Sequence, residues 1–226
     1  GPDHGIWHGY IEGLGVGTHY GFRAQGPWDP DAGLFFNYNK LLIDPYGRGL
    51  AGSVDICPEV YAHSVDEDLY PVSYPLEPSQ SDSAPYNAHS VVIDTSFKLA
   101  PQPKVPLDET VIYELHVKGF TQNMPEVPPN LRGTYAGLAH PASVRYLKEL
   151  GVTSVELLPV HAKSDEPFLV ERGLTNYWGY STLSFFSPEP SYASASARAR
   201  GAQAVIDEFR GMVSILHEAG IEVILD

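Results

Sequence analysis

The chain has 226 residues, an apolar fraction of 43% and a formal net charge of −14 from 14 basic and 28 acidic side chains. That length and apolar content suffice for one large or two smaller cored domains, whereas the acidic balance argues against a nucleic-acid partner, whose affinity comes mainly from Lys and Arg. No stretch is apolar over the length of a membrane span, and residues 1–20 lack the basic start and apolar run of a secretory signal, so no membrane partner is expected. The first hundred residues hold few plausible helices. Short aromatic and β-branched runs at 6–11, 18–24, 40–43 and 90–93 are separated by Gly, Pro, Asp and Asn clusters, the pattern of a small antiparallel sandwich. Trp7, Tyr20, Phe22 and Trp28 read as its packing aromatics. Cys57, the single cysteine, has no disulfide partner and no neighbours at metal-ligand spacing. It reads as a small, half-buried hydrophobe that fits a reducing, cytoplasmic compartment.

The proline-spaced stretch Pro101-Gln102-Pro103-Lys104-Val105-Pro106 cannot continue a central strand and reads as a linker. It sets the expected domains at 1–105 and 106–226. After it, Val111-Ile112-Tyr113-Glu114-Leu115-His116-Val117 is a nearly continuous apolar strand. Residues 141–150 predict a helix, with Pro141 at its start and Gly151 as its stop, and a second strand covers 152–160. In 201–219, Ala202, Val205, Ile206, Phe209, Met212, Val213 and Leu216 recur at helical spacing before Gly220 ends the run. A buried strand follows at 221–226, closing on Asp226. Strands alternating with helices predict parallel βαβ units, and hence an α/β second domain.

The helix-to-strand connections here are one or two residues, but the strand-to-helix connections, 118–140 and 161–200, are long. Loops of that length are uncommon unless they serve a function, and in β/α barrels the strand-to-helix loops build the site at the carboxyl face. The first βα connection carries no glycine fingerprint for a dinucleotide, which ranks a barrel ahead of a doubly wound sheet. The second long loop contains Asn176-Tyr177-Trp178-Gly179-Tyr180-Ser181-Thr182. Its rings combine an apolar face with a polar tip, which suits a sugar.

Asn176 to Thr182 resembles the matching segment of isoamylase-type glycogen debranching enzymes, glycoside hydrolases of the α-amylase superfamily. So do V-I-Y-E-L-H-V-K-G-F-T from Val111, L-K-E-L-G-V-T-S-V-E-L-L-P-V-H from Leu147 and L-H-E-A-G-I-E-V-I-L-D from Leu216. Trp7-His8-Gly9-Tyr10, residues 17–29 and N-Y-N-K-L-L-I-D-P-Y-G-R from Asn37 are similar to the α-glucan-associated sandwich of that group. The resemblance implies a β-sandwich of the family 48 carbohydrate-binding type, entered partway through, followed by the first three strands of a truncated TIM barrel.

It also implies a substrate among glycogen, amylopectin and limit-dextrin α-glucans, with no cofactor; no residue of the chain is assigned as a metal ligand. Tyr180 is expected to stack on the sugar at the cleavage point. Trp178, Asn176 and Tyr177 line or support that loop, His161 contacts substrate or is a structural histidine, and Asp226 is a supporting acid. Retaining hydrolysis of an α-1,6 linkage needs two carboxyl groups about 5–5.5 Å apart, which the resemblance places on the fourth and fifth barrel strands. The expectation is therefore no catalytic residue in this chain, and no debranching by it alone. Glu114 and Glu156 lie within strands, while Asp165, Glu166 and Glu171 read as solvated loop charge. A non-catalytic α-glucan-binding protein is the alternative, and pullulanase, branching-enzyme and trehalose-releasing relatives share the architecture.

Overall fold

The structure is a computed structural model describing residues 2–226; the side chains of Pro2 and Trp7, and with them the packing expected of Trp7, lie outside the described part. Strands in the first half are short because Gly, Pro, Asp and Asn interrupt each apolar run. In chain order they are β1 (Pro2–Asp3), β2 (Ile6–Trp7), β3 (His19–Tyr20), β4 (Trp28–Asp29), β5 (Leu34–Phe35), β6 (Leu50–Ala51) and β7 (His89–Val91). β1 pairs with β2 and β4 with β5, while β3, β7 and β6 form one antiparallel sheet in that order.

The strand predicted at 40–43 reduces to one bridge, Leu42 to Phe22. Lys40 turns inward instead, and its ammonium donates to Glu59 O at 2.7 Å, Ser81 O at 2.8 Å and Ser79 Oγ at 3.0 Å. Three acceptors satisfy all three donors of a buried lysine, and burial lowers its pKa. Two of the aromatics pack as expected. Tyr20 donates to Asp44 Oδ2 at 2.7 Å, and burial, reinforced by that bond, pushes its phenol up to about 12. Trp28 Nε1 donates to Leu76 O at 2.9 Å with its ring edge-on to Phe35. Phe22 is half exposed. Cys57 is partly buried, and burial is the main cause of its raised thiol pKa.

The proline-spaced stretch carries no regular structure, yet it is fastened to the second half. His217 Nδ1 donates to Ala100 O at 3.0 Å, and Val105 N donates to Glu222 Oε1 at 3.3 Å. Farther along, Ser187 Oγ donates to Gly47 O at 2.9 Å and Tyr46 stacks on Phe186.

The second half runs β8 (Ile112–Leu115), α1 (Val117–Gln122), α2 (Tyr135–Leu138), α3 (Pro141–Glu149), β9 (Ser154–Leu157), β10 (His161–Lys163), α4 (Pro167–Val170), β11 (Thr182–Pro188), α5 (Ala195–Arg200), α6 (Ala202–Glu218) and β12 (Glu222–Leu225). β8, β9 and β12 form a parallel sheet in chain order, with Leu115, Leu157 and Leu225 in register. Alternation sends side chains to opposite faces. Tyr113, Leu115, Val155, Leu157 and Val223 belong to the core that α6 closes with Val205, Met212, Val213 and Leu216. Tyr113 and Val223 are partly buried against this core, and each of its fully buried side chains contributes about 1.5–3 kcal/mol relative to exposure. The other face carries Glu114 and Glu156 as register partners.

The two long connections are not structureless. The first contains α1 and α2. In the second, β10 and β11 pair antiparallel and bring the ends of the intervening 164–181 loop together. Among the described residues no helix is long and apolar enough to cross a membrane, and no three His, Cys, Asp or Glu side chains are placed to hold a metal.

Candidate functional site

The aromatic loop is built around Asn176. This residue is buried, and its backbone N–H and both side-chain polar atoms find partners within the loop. Its backbone N–H donates to Asp165 Oδ1 at 2.7 Å, its Nδ2 donates to Glu166 Oε1 at 2.9 Å, and its Oδ1 accepts from Gly179 N at 2.7 Å. Asp165 and Glu166, expected to be solvated, are braces; the second oxygen of Glu166 is shielded and unpartnered among the described residues. Glu171 is exposed as expected. Gly179 has φ +90°, and a Cβ there would meet Pro159 O at 3.0 Å. Only glycine takes that turn without strain.

Tyr177 is held by His116, the residue that follows β8 and caps α1. His116 Nδ1 accepts from Lys118 N at 3.0 Å and Gly119 N at 3.2 Å, so its proton lies on Nε2, which donates to the Tyr177 carbonyl at 2.7 Å. The Tyr192 hydroxyl reaches the same carbonyl at 3.4 Å. Burial holds the His116 pKa below its ordinary value of 6.5, with Lys118 and Lys163 adding to the effect and the Tyr177 carbonyl opposing it. A Cβ on Gly119 would sit 2.6 Å from the Tyr177 hydroxyl, so the glycine makes room for that ring.

With Asn176 and Tyr177 fixed, the next rings project outward. Trp178 is 67% and Tyr180 57% exposed, with ring centroids 6.4 Å apart. The Tyr180 hydroxyl donates to Asp226 Oδ2 at 2.5 Å. That bond is the main cause of the raised Tyr180 pKa, and the charges of Asp226, Glu114 and Glu156 add to it. The carboxyl end of β12 thus carries an aromatic ring tethered to an acid, on the side to which Glu114 and Glu156 belong. An exposed, pre-oriented ring beside carboxylates can stack on the C–H face of a sugar while the acids accept from its hydroxyls.

His161 stands elsewhere. It packs edge-on to Phe185 and lines a hollow of about 320 Å3 that includes Arg48, Phe186 and Leu225 but none of residues 176–180. Of the residues the structure adds, His116 and Tyr192 carried no periodic signal. Asp165 and Glu166 are matched to Asn176 only by tertiary geometry.

No protein-family model matches the chain. Solved structures place its fold in a class of polysaccharide-degrading enzymes. The catalytic module of a multi-modular glycogen-degrading pneumococcal virulence factor is 26% identical, with a TM-score of 0.59 over 83% of this chain and 25% of that one. An Anoxybacillus pullulanase complexed with maltotetraose shares the fold at 24% identity, with a TM-score of 0.54 over 83% of this chain and 24% of that one.

In sequence, the chain is a homologue of bacterial glycogen debranching enzymes. It is 47% identical over 223 residues to a glycogen operon protein GlgX homolog of Mycobacterium tuberculosis, covering 98% of this chain and 30% of that protein. It is 46% identical over 223 residues to a glycogen debranching enzyme of Enterobacter, covering 98% of this chain and 31% of that enzyme. The chain therefore spans about a third of the length of the curated relatives it matches.

Proposed function

We propose that this chain forms one wall of the glucan cleft in a cytoplasmic glycoside hydrolase that cleaves α-1,6 branch linkages of glycogen, amylopectin or limit dextrin with retention of configuration. Residues 1–105 act as a glucan-associated β-sandwich of the family 48 type, and residues 106–226 as the first three strands of a (β/α)8 barrel. The observation that carries the reading is the Tyr180–Asp226 hydrogen bond at the carboxyl end of β12, the end at which barrel enzymes build their sites. The high identity to glycogen debranching enzymes supports it.

In this reading the ring of Tyr180 stacks on the sugar at the cleaved bond, and Asp226 sets the ring's tilt. Trp178 extends the platform. Asn176 and Tyr177 hold the loop, and His161 acts from the neighbouring hollow. The nucleophile and proton donor of the retaining step come from barrel strands other than the three parallel strands described here. Glu114 and Glu156 shape the acidic floor. No cofactor is invoked.

Affinity electrophoresis in glycogen-containing gels tests the binding claim. The whole chain should be retarded, and the Tyr180→Ala/Trp178→Ala double variant should run as in a glycogen-free gel. Unretarded wild-type protein counts against the reading. Release of reducing ends from pullulan by the pure chain would overturn the placement of the catalytic acids.

A further inference from the structure

Four of the 14 basic residues in this acidic protein line one cavity of about 620 Å3. Lys118 comes from α1, Arg132 from the loop before α2, Lys163 from β10 and Arg198 from α5. The only carboxylate in the lining is Glu189. That carboxylate is already engaged, accepting from Lys163 N and Ser191 N, each at 3.0 Å.

Two of the four cations are oriented by carbonyls rather than by carboxylates. Arg132 donates from Nε to Val127 O at 2.9 Å, and Arg198 donates from Nη1 to Ala193 O at 2.7 Å. Carbonyls fix a guanidinium without cancelling its charge, and each fork keeps further N–H groups for a ligand. Among the described residues Lys118, Arg132 and Arg198 have no ion-pair partner. The Lys163 side chain is only 9% exposed, yet its ammonium meets a single carboxylate oxygen, Asp165 Oδ1, at 3.4 Å. An ammonium with one long contact has donor capacity left over.

The chemistry of the walls narrows the ligand. No aromatic residue lines the cavity, and none of residues 176–180 does, so it lacks the stacking surface of a neutral-sugar site. One bidentate arginine satisfies a planar carboxylate. Four cations arriving from four segments match a tetrahedral dianion approached from several sides. The volume falls within the range of small-molecule sites, about 300–1,000 Å3, and Asn130 on the rim offers an amide to hydroxyl groups.

We propose that this cavity binds a phosphate-bearing small molecule of the sugar-phosphate class, with the phosphate among Lys118, Arg132, Lys163 and Arg198. Leu50, Ser53 and Ala88 from the first half also line it, so an occupant bridges the two halves of the chain.

Isothermal titration of the full chain with glucose 6-phosphate, inorganic phosphate and glucose at low salt tests it. Glucose 6-phosphate should bind, glucose should not, and binding should weaken as salt rises. Arg132→Gln and Lys118→Gln should each weaken the phosphate ligand about tenfold. Lys118 is exposed and its ammonium makes no hydrogen bond or ion pair among the described residues, so the Lys118→Gln result stands even where Arg132→Gln disturbs the adjacent turn. Equal affinity for inorganic phosphate supports the anion site with the free ion as its occupant. No binding of either phosphate, or unchanged affinity in Lys118→Gln, overturns the proposal.

Discussion

The imidazole of His116 lies flat on the ring of Tyr177, centroids 4.2 Å apart and planes 6° from parallel, while its Nε2 donates to the Tyr177 carbonyl. One residue thereby caps α1 with its Nδ1 and grips the aromatic loop with the rest of the ring. In His116→Asn the amide oxygen can still cap the helix, but the grip on Tyr177 is lost. We expect this variant to fold with a loss of about 1–3 kcal/mol and to show weaker glycogen retardation, whereas His116→Ala loses both functions. Chemical denaturation read alongside affinity gels separates the two effects.

The same residue links stability to pH. Its folded pKa lies below the ordinary 6.5, so the unfolded chain takes up the proton first. The contribution of neutral His116 is full above about pH 6.5 and is lost as pH falls through the folded value. Lys118 and Lys163 oppose the added charge. Melting temperature followed from pH 8 downwards should therefore decline more steeply for wild type than for His116→Asn; identical slopes would rule out this role.

Tyr180→Phe keeps the stacking ring but releases it from Asp226. If stacking provides the binding, the Phe variant should retain glycogen affinity within about threefold and Tyr180→Ala should lose about tenfold or more, since ring stacking on a ligand contributes about 1–3 kcal/mol in comparable alanine substitutions. Ultraviolet titration gives a second readout. Removing the charge in Asp226→Asn should bring one phenol, raised in the native protein, back toward 10. An unchanged titration curve would count against the bond.

Gly179→Ala places a non-glycine residue at φ +90° against Pro159 O. The strain, about 1–3 kcal/mol, falls on the loop rather than the core. Limited proteolysis should cut faster within 164–181 while the digestion pattern of α6 and the parallel sheet stays unchanged.

Tyr135 is fully buried, with its hydroxyl donating to Glu189 O at 2.9 Å. Tyr135→Phe leaves that carbonyl without this donor and should cost about 1–3 kcal/mol in urea unfolding. A neutral result would mean that the Tyr192 N–H, already 3.3 Å from the same carbonyl, satisfies it alone.

The helices that were legible in the sequence are those whose apolar spacing faces a single core. The run at 201–219 folds as α6, and 141–150 as α3 with Pro141 at its first position. The parallel order of β8, β9 and β12 followed from the alternation of strands and helices. α1 was hidden because Val117 continues a β-branched strand pattern, whereas in the fold the His116 side chain caps a helix there, accepting from Lys118 and Gly119. The strand expected at 40–43 gave way to the inward lysine for the same kind of reason: acceptors distant in sequence outweighed local propensity.

The sequence by itself determined the alternation of elements, the aromatic run at 176–182 and its resemblance to glucan-debranching enzymes, since these depend on periodicity and contiguous motifs. The tertiary structure alone decided that Tyr180 meets Asp226, 46 residues away. It also decided that Asp165 and Glu166 brace Asn176, and that four cations from four segments surround one cavity. Such pairings are set by how packed elements bring distant side chains within hydrogen-bond reach, and no local spacing encodes them.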